Sequence, residues 1–267
     1  MSFHNSSAAR TNLTSDEVRI SNYKIGEGVF RVCLEGTYIG GNRNQQEAAC
    51  KRFKPQFRQI EDEYFASDFR IARKCIEVAE EWNSFCPLGK EIMFSYGDVK
   101  QSNSGIKYLV EPLIRYFTKY TSNSGWISQT EGWAGDAMEA FSHFSYHKTG
   151  GQMLICDLQG RYRFNRFSRE KCRFELTDPA ICSRRRNYGP TDLGEKGIDS
   201  FFANHVCNEF CDQHWQRPRY SKQWFPLTKG TSMLSSRVSH KLYLQSRATF
   251  RIGLDGILEE DSDDDSW

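Results

Sequence analysis

The sequence predicts an α+β chain folded as two lobes with a cleft between them. Three observations carry this. Strand-like segments crowd the first half, and helices mix with strands in the second. Between the halves an apolar run, IKYLVEPLI, leads into a Pro-containing stretch where the chain can cross from one lobe to the other, at Glu111–Arg115. The expected bounds are a loose polar segment over 1–16, a first lobe over about 17–111, a second over about 112–256 and an acidic disordered tail over 257–267. A chain of 267 residues suffices for one large domain or two small lobes with a proper core.

The elements follow in order. From Asn22 to Lys54, YKIGEGVFRVCLEGTYIGG and EAACKRFK read as strands separated by the Gly/Asn-rich turn GGNRNQ. Residues 59–85 recur apolar at helical spacing and end before Cys86-Pro87. EIMFSYGDV and IKYLVEPLI are strands, the second buried; YTSNSGW is a loop; a short helix spans about 135–146; and QMLICDLQG is a further buried strand. Residues 161–175, RYRFNRFSREKCRFE, are basic, aromatic and bounded by turns, which suits a hairpin excursion. A last helix is expected over about 199–208, and no internal repeat is present.

Composition narrows the function classes. A formal net charge of +2 provides no overall field toward nucleic acid or a membrane. No apolar run is long enough to span a bilayer, and the opening MSFHNSSAARTNLTSD lacks the apolar core of a secretory signal. Nine cysteines, an odd and scattered set, suit a reducing cytoplasm, where clustered thiols signify metal or reactivity more often than cross-links.

HVCNEFC places His205, Cys207 and Cys211 within seven residues. A structural zinc takes four ligands drawn from thiolate sulfur and imidazole nitrogen, so a fourth ligand is expected from elsewhere. His143 and His147 in AFSHFSYHK, and His214, are the candidates, and the apolar surroundings of His143 favour it. The competing reading is a buried histidine beside two inert core cysteines.

Gly26 and Gly28 stand in GEGVF between two strand-like runs, where glycines let backbone N–H groups approach phosphate. Lys51 lies about one hairpin later, as does the phosphate-fixing strand lysine of kinase-type sites. Asp157 and Gln159 sit one strand period apart in LICDLQG, and Asp178 opens a turn in ELTDPA. Two carboxylates and an amide oxygen at strand ends suit Mg²⁺ and the orienting of a hydroxyl nucleophile. Taken singly, each residue has an ordinary structural explanation, such as an edge lysine or an Asx-turn cap. A second glycine-rich turn, with Gly189, Gly194 and Gly197, opens into the last helix. It contacts an anion, positions a substrate chain or serves as a plain helix entry.

In order along the chain, KIGEGVFRVC, AACKRF, LVEPLIRYFTKYTSNSGW, AFSHF, DLQG, LTDP, GPTDLGEKGIDSFF and HVCNEFC resemble the blocks of the alpha-kinases, atypical Ser/Thr protein kinases. The resemblance covers about residues 20–215. It implies a two-lobed protein-kinase-like fold with a structural Zn²⁺, and transfer of the γ-phosphoryl of Mg-ATP to Ser/Thr of a protein substrate. Lys51 then resembles the phosphate-binding lysine, Arg31 falls in the phosphate-proximal turn, and Glu111 falls in the hinge that meets adenine. Lys119 and Asn123 match cleft-lining positions. Asp157 matches the catalytic aspartate, Gln159 and Asp178 the Mg²⁺ ligands, and His143, His205, Cys207 and Cys211 the zinc set. Two features depart from the pattern. A long basic-aromatic stretch separates DLQG from LTDP, and the glutamate partner of Lys51 is unassigned, Glu77 and Glu80 being the candidates on the long helix.

Two other functions remain open at this stage. One is a kinase-shaped scaffold without catalysis. The other is a zinc-stabilised nucleic-acid module using RYRFNRFSR and Arg184-Arg185-Arg186, a surface that the chain's own acidic tail, with Ser262 and Ser266, is also suited to occupy. The protein substrate, the regulator and the oligomeric state are not written in the sequence.

Overall fold

The computed structural model describes residues 6–85, 91–164, 172–229 and 234. The described residues build two five-stranded sheets, a two-stranded ladder and three α-helices. The first sheet has the order β2-β3-β4-β7-β6 and contains β2 (Glu17–Glu27), β3 (Arg31–Ile39), β4 (Glu47–Phe53), β6 (Asp98–Gln101) and β7 (Lys107–Pro112). All its pairings are antiparallel. Short turns join β2 to β3 and β6 to β7, as antiparallel neighbours allow, whereas the path from β4 to β7 runs through α1 (Glu61–Phe85), β5 (Glu91–Tyr96) and β6.

The second sheet has the order β1-β5-β11-β10-β8, with β1 (Ala9–Thr11), β5 (Glu91–Tyr96), β8 (Thr118–Lys119), β10 (Gln159–Arg163) and β11 (Arg173–Thr177). β1 and β11 both run parallel to β5, and β10 runs antiparallel to β8 and β11. The ladder joins β9 (Met153–Cys156) to β12 (Ala180–Ser183).

Helix α1 (Glu61–Phe85) begins with Glu61, Asp62 and Glu63, where acidic groups favour the positive end of the helix dipole. Its apolar stripe, with Ile76, Ala79 and Trp82, joins the largest core together with Ile92 and Phe94 of β5. Trp82 meets Phe141 and Phe144 of α2 (Gly132–Lys148) edge-on, the geometry that the aromatic quadrupole prefers. Helix α3 (Gly194–Asn204) packs Ile198, Phe201 and Phe202 against Leu154, Cys156 and Cys182 of the ladder. Its entry is fixed by Asp192. This fully buried carboxylate accepts from Gly194 N, Ser183 N, Ser183 Oγ and Tyr188 N, so the cost of burying its charge is offset by four donors.

Three expectations change. The segment 1–16 is not loose throughout: β1 adds a strand to the second sheet, and Asn12 is buried, donating from Nδ2 to Val110 O and Asp98 Oδ2. The first lobe is not one contiguous span over 17–111, since β5 belongs to the second sheet. The last helix starts and ends earlier than expected, at 194–204, because the extended backbone of His205 closes it. The tail 257–267 lies outside the described residues. No helix among the described residues is long and apolar enough to cross a membrane.

Candidate functional site

A cavity of about 430 Å³ opens between the sheets, lined by residues of the β2–β3 turn, β4, α1, the segment after β7 and the ends of β9 and β11. Gly26, Gly28, Arg31, Lys51, Glu111, Lys119, Asp157, Gln159 and Asp178, from six separate stretches of sequence, all line it. The β2–β3 turn is closed by Gly28 N donating to Arg31 O at 2.9 Å.

Lys51 is at the centre, 7% exposed. Its Nζ stands 2.6 Å from Glu111 Oε1 and 2.7 Å from each Asp178 carboxylate oxygen. Thr177 Oγ1 donates to the same Glu111 oxygen at 2.6 Å. The partner of Lys51 is therefore Glu111, which sequence reasoning placed at the adenine hinge. Glu77 and Glu80 do not serve: Glu77 pairs with Lys74 on the helix surface, and Glu80 accepts from Ser6. Burial disfavours the Lys51 ammonium, but Asp178 and Glu111 outweigh it and raise its pKa above the usual lysine value. Burial likewise works against Asp178, and Lys51 with Arg31 holds it below the usual carboxylate range.

Arg31 reaches across to α1, where its Nη1 lies 2.5 Å from Asp68 Oδ2, and its Nη2 lies 3.9 Å from Asp178. Its guanidinium lies over the rings of Phe53 and Tyr64, an arrangement open to arginine's planar fork. Lys119 Nζ lies 2.6 Å from Asp157 Oδ1. Asp157 is 3% exposed and, like Asp178, has a left-handed backbone, with φ of 57° and 48°. Aspartate tolerates that region better than most residues, and it turns both side chains into the cavity at strand ends. The site thus sets Arg31, Lys51 and Lys119 against Glu111, Asp68, Asp157 and Asp178. Every charged group has an opposite charge within reach.

Not all expected residues meet there. Asn123 is buried, and its Nδ2 donates to Thr191 O at 3.0 Å. It holds the loop whose Pro190 and Thr191 do line the cavity, in place of lining it itself. Gly189, Gly194 and Gly197 form no cradle at the cavity. A side chain at Gly189 would stand 2.9 Å from Ser67 Cβ with φ at +87°, and one at Gly197 would stand 2.4 Å from Cys182 Sγ. These glycines are required by packing. Asp68 and Thr177 were not singled out. Asp68 had a signal: it stands four residues after Tyr64 and three after Phe65 on the apolar stripe of α1, where an isolated carboxylate calls for a partner.

A second cluster joins α2 to the segment after α3. The ligand atoms of His143, His205, Cys207 and Cys211 lie within 4.8 Å of one another. His143 Nε2 faces Gln216 O at 3.0 Å, and His205 Nδ1 faces Glu139 Oε2 at 2.9 Å. Both partners are acceptors, so each ring carries its proton on that nitrogen. The remaining nitrogens, His143 Nδ1 and His205 Nε2, then turn lone pairs toward each other at 3.2 Å. The sulfurs stand 3.7 Å and 3.6 Å from them. Tetrahedral zinc with ordinary bond lengths separates nitrogens by about 3.3 Å and nitrogen from sulfur by about 3.6 Å. Facing lone pairs repel unless a cation lies between them, so the donor set fits that ion. Burial pulls His143 down to about 4, leaving it a neutral donor, and pushes the Cys211 thiol up to about 12. His147 and His214 lie outside the cluster; His147 Nδ1 accepts from Gln216 N.

Comparison with known proteins identifies the family of the chain. Residues 26–211, more than half of the chain, match the model of the alpha-kinase family. The eukaryotic elongation factor 2 kinase of Caenorhabditis elegans is 27% identical over 215 residues, covering 77% of this chain and 26% of that protein. Myosin heavy chain kinase B of Dictyostelium discoideum is 28% identical over 212 residues, covering 76% and 26%. The chain thus spans about a quarter of the length of either relative. Among solved structures, an alpha-kinase from Entamoeba histolytica superposes with a TM-score of 0.61 at 26% identity, over 82% of this chain and 85% of that one. An inactive alpha-kinase domain of myosin-II heavy chain kinase A, solved in complex with ATP, gives 0.60 at 22% identity over 73% and 87%.

Proposed function

The chain belongs to the alpha-kinase family, and from that premise we propose that it is a protein serine/threonine kinase that transfers the γ-phosphoryl group of Mg-ATP. The observation that carries the reading is the meeting of Lys51, Asp157, Gln159 and Asp178 in one cavity, although 106 residues (157 − 51) separate the first two. In-line phosphoryl transfer asks little covalent chemistry of a protein and relies on positioning and charge neutralisation.

Lys51 and Arg31 are the cations suited to the phosphates, and Glu111 keeps Lys51 aimed when its pairing with Asp178 is given up. Asp178 and Gln159 present only oxygen ligands, the donor type a hard dication takes, so they would hold Mg²⁺, which supplies neutralisation of the phosphate oxygens. Asp157 is suited to orient the acceptor hydroxyl and take its proton. Lys119, its Nζ 2.6 Å from Asp157 Oδ1, pairs with that carboxylate and holds it in place. The substrate class is a protein hydroxyl. The His143–His205–Cys207–Cys211 set would hold a structural zinc that ties α2 to the segment after α3. A cytoplasmic setting rests on the cysteine pattern of the sequence alone.

The test is Asp157→Ala, assayed with labelled ATP on a basic protein. The expected result is a loss of transfer of at least about a thousandfold (~4 kcal/mol of barrier) with ATP affinity kept and the chain still folded. Transfer within about tenfold of wild type would remove Asp157 from the reaction. ATP binding without turnover in the wild-type chain would instead support the scaffold reading.

A further inference from the structure

The β10–β11 hairpin has two unlike faces. Phe174 and Leu176 enter the main core, with Tyr162 packed against it. Alternate residues share the opposite face: Gln159, Arg161 and Arg163 on β10, paired in register with Thr177, Glu175 and Arg173 on β11. Gln159 and Thr177 bring this face to the edge of the cleft, and the arginines continue it outward. Arg10 of β1 and Arg43 of the β3–β4 turn complete a separate cavity of about 740 Å³.

Glu175, 1% exposed, is the one carboxylate lining that cavity among the described residues. Four guanidiniums share it. Arg161 donates from Nε and Nη2 at 3.0 Å and 2.8 Å, while Arg10, Arg163 and Arg173 stand at 3.6 Å, 3.5 Å and 3.4 Å. Arg173 Nε is buried without a hydrogen-bond acceptor among the described residues. Arg10 and Arg43 also donate to backbone carbonyls, Arg10 to Pro112 and Arg43 to Thr11. Among the described residues lining the cavity, five arginines face the single carboxylate of Glu175, an excess of four formal positive charges (5 − 1). Burial pulls the Arg10 guanidinium down to about 10, because it has lost more hydration than Glu175 replaces. Guanidinium forks gathered in this way match carboxylates.

We propose that this cavity is an anion-binding site whose occupant is the acidic segment Glu259–Asp265 of the same chain. That segment, EEDSDDD, places six carboxylates in seven residues with no cation among them, which complements the excess charge of the cavity. Leu234, the last described residue, packs beside Phe30 and Phe53 at the cleft. Twenty-four residues, 235–258, lie between it and Glu259. A coil of that length spans about 25–30 Å, against a diameter of about 45 Å for a domain of this size. Tethering raises the effective concentration toward the millimolar range, so a modest intrinsic affinity fills the site. Because the arginine face continues from Gln159 and Thr177, this cavity lies beside the cleft. The proposal concerns binding and stands or falls independently of phosphotransfer.

The test is binding in trans at low salt. A labelled peptide of residues 257–267 is titrated into the wild-type chain and into a full-length chain carrying E259Q, E260Q, D261N, D263N, D264N and D265N. The neutralised chain is expected to bind at least about tenfold tighter, since its own segment no longer competes, and binding should weaken as salt rises. Adding R43A and R163A to the neutralised chain should cut peptide affinity about tenfold without lowering its urea midpoint, because Glu175 keeps Arg10, Arg161 and Arg173. If that variant is unstable, a peptide with D263N, D264N and D265N serves instead and should lose binding to the same degree. Equal binding by wild-type and neutralised chains, or affinity untouched by both sets of substitutions, overturns the proposal. So does single-stranded RNA that binds the wild-type chain more tightly than the peptide binds the neutralised one, which would make the cavity a nucleic-acid site.

Discussion

Lys51→Met tests the charge centre of the cleft. Methionine keeps the length and apolar stem of lysine and deletes the ammonium. Glu111, its side chain 7% exposed, then keeps Thr177 Oγ1 as a donor but loses its counter-charge, whereas Asp178, at 37%, can turn to water. Removing one partner of a buried pair costs about 3–5 kcal/mol, and an exposed partner adds little. We therefore predict a loss of about 3–4 kcal/mol, nearly all from Glu111, a large share of the 5–15 kcal/mol typical of a domain. Glu111→Gln in the same chain removes the stranded charge, so the double variant should recover at least about 1.5 kcal/mol of the summed single losses. Urea unfolding of the four chains at neutral pH closes the cycle. Additivity within about 0.5 kcal/mol, or a Lys51→Met cost below about 1 kcal/mol, would mean that Glu111 does not depend on Lys51, and the account of the cleft would fail with it.

Three further outcomes follow from the same geometry. If zinc fills the His143–His205–Cys207–Cys211 set, elemental measurement should find one zinc per chain, and chelation should unfold the region rather than only inhibit it. Binding of such an ion supplies on the order of 10 kcal/mol, so a thermal midpoint unmoved by chelator speaks against it. Burial works against ionised Glu175, but Arg10, Arg161 and Arg173 hold its pKa below the ordinary 4.5. Its contribution is therefore complete above about pH 4.5 and lost as pH falls through its lowered folded value. The stability gap between wild type and Glu175→Gln, followed by urea midpoints, should narrow on acidification below that point; a gap that stays constant counts against the ion cluster. Gly197→Ala places a methyl 2.4 Å from Cys182 Sγ. Overpacking of about 1–3 kcal/mol should exceed the helix-propensity gain of about 1 kcal/mol, and adding Cys182→Ala should relieve it; a stabilised single variant refutes the close-packing reading.

How much was legible in the sequence depended on whether a relation is local. Helix α1 announced itself by apolar spacing and ended where expected, at Phe85. His205, Cys207 and Cys211 of the His/Cys cluster were visible because they share one short stretch. Partition of strands between sheets was hidden, since EIMFSY and KYLVEP are both apolar and hydrophobicity reports burial, not neighbours. The buried β1 was missed for a related reason: ART is too short for periodicity, and only Arg10 and the pairing to β5 give it a place.

Glu111 shows the same limit at the site. β4 pairs Lys51 with Leu109 and Ala49 with Glu111, which puts Glu111 diagonally beside Lys51 on one face of the sheet. No reading of either segment alone contains that relation. The stretch between DLQG and LTDP illustrates the converse. Its length does not separate Asp157 from Asp178, because β10 and β11 pair antiparallel with Gln159 opposite Thr177. Both aspartates therefore stand at the base of a hairpin, and residues added beyond Arg163 and Arg173 lengthen it at the far end. Antiparallel pairing separates loop length from cleft geometry, so the inserted arginines are free to build a second surface while the acids at the base keep their positions.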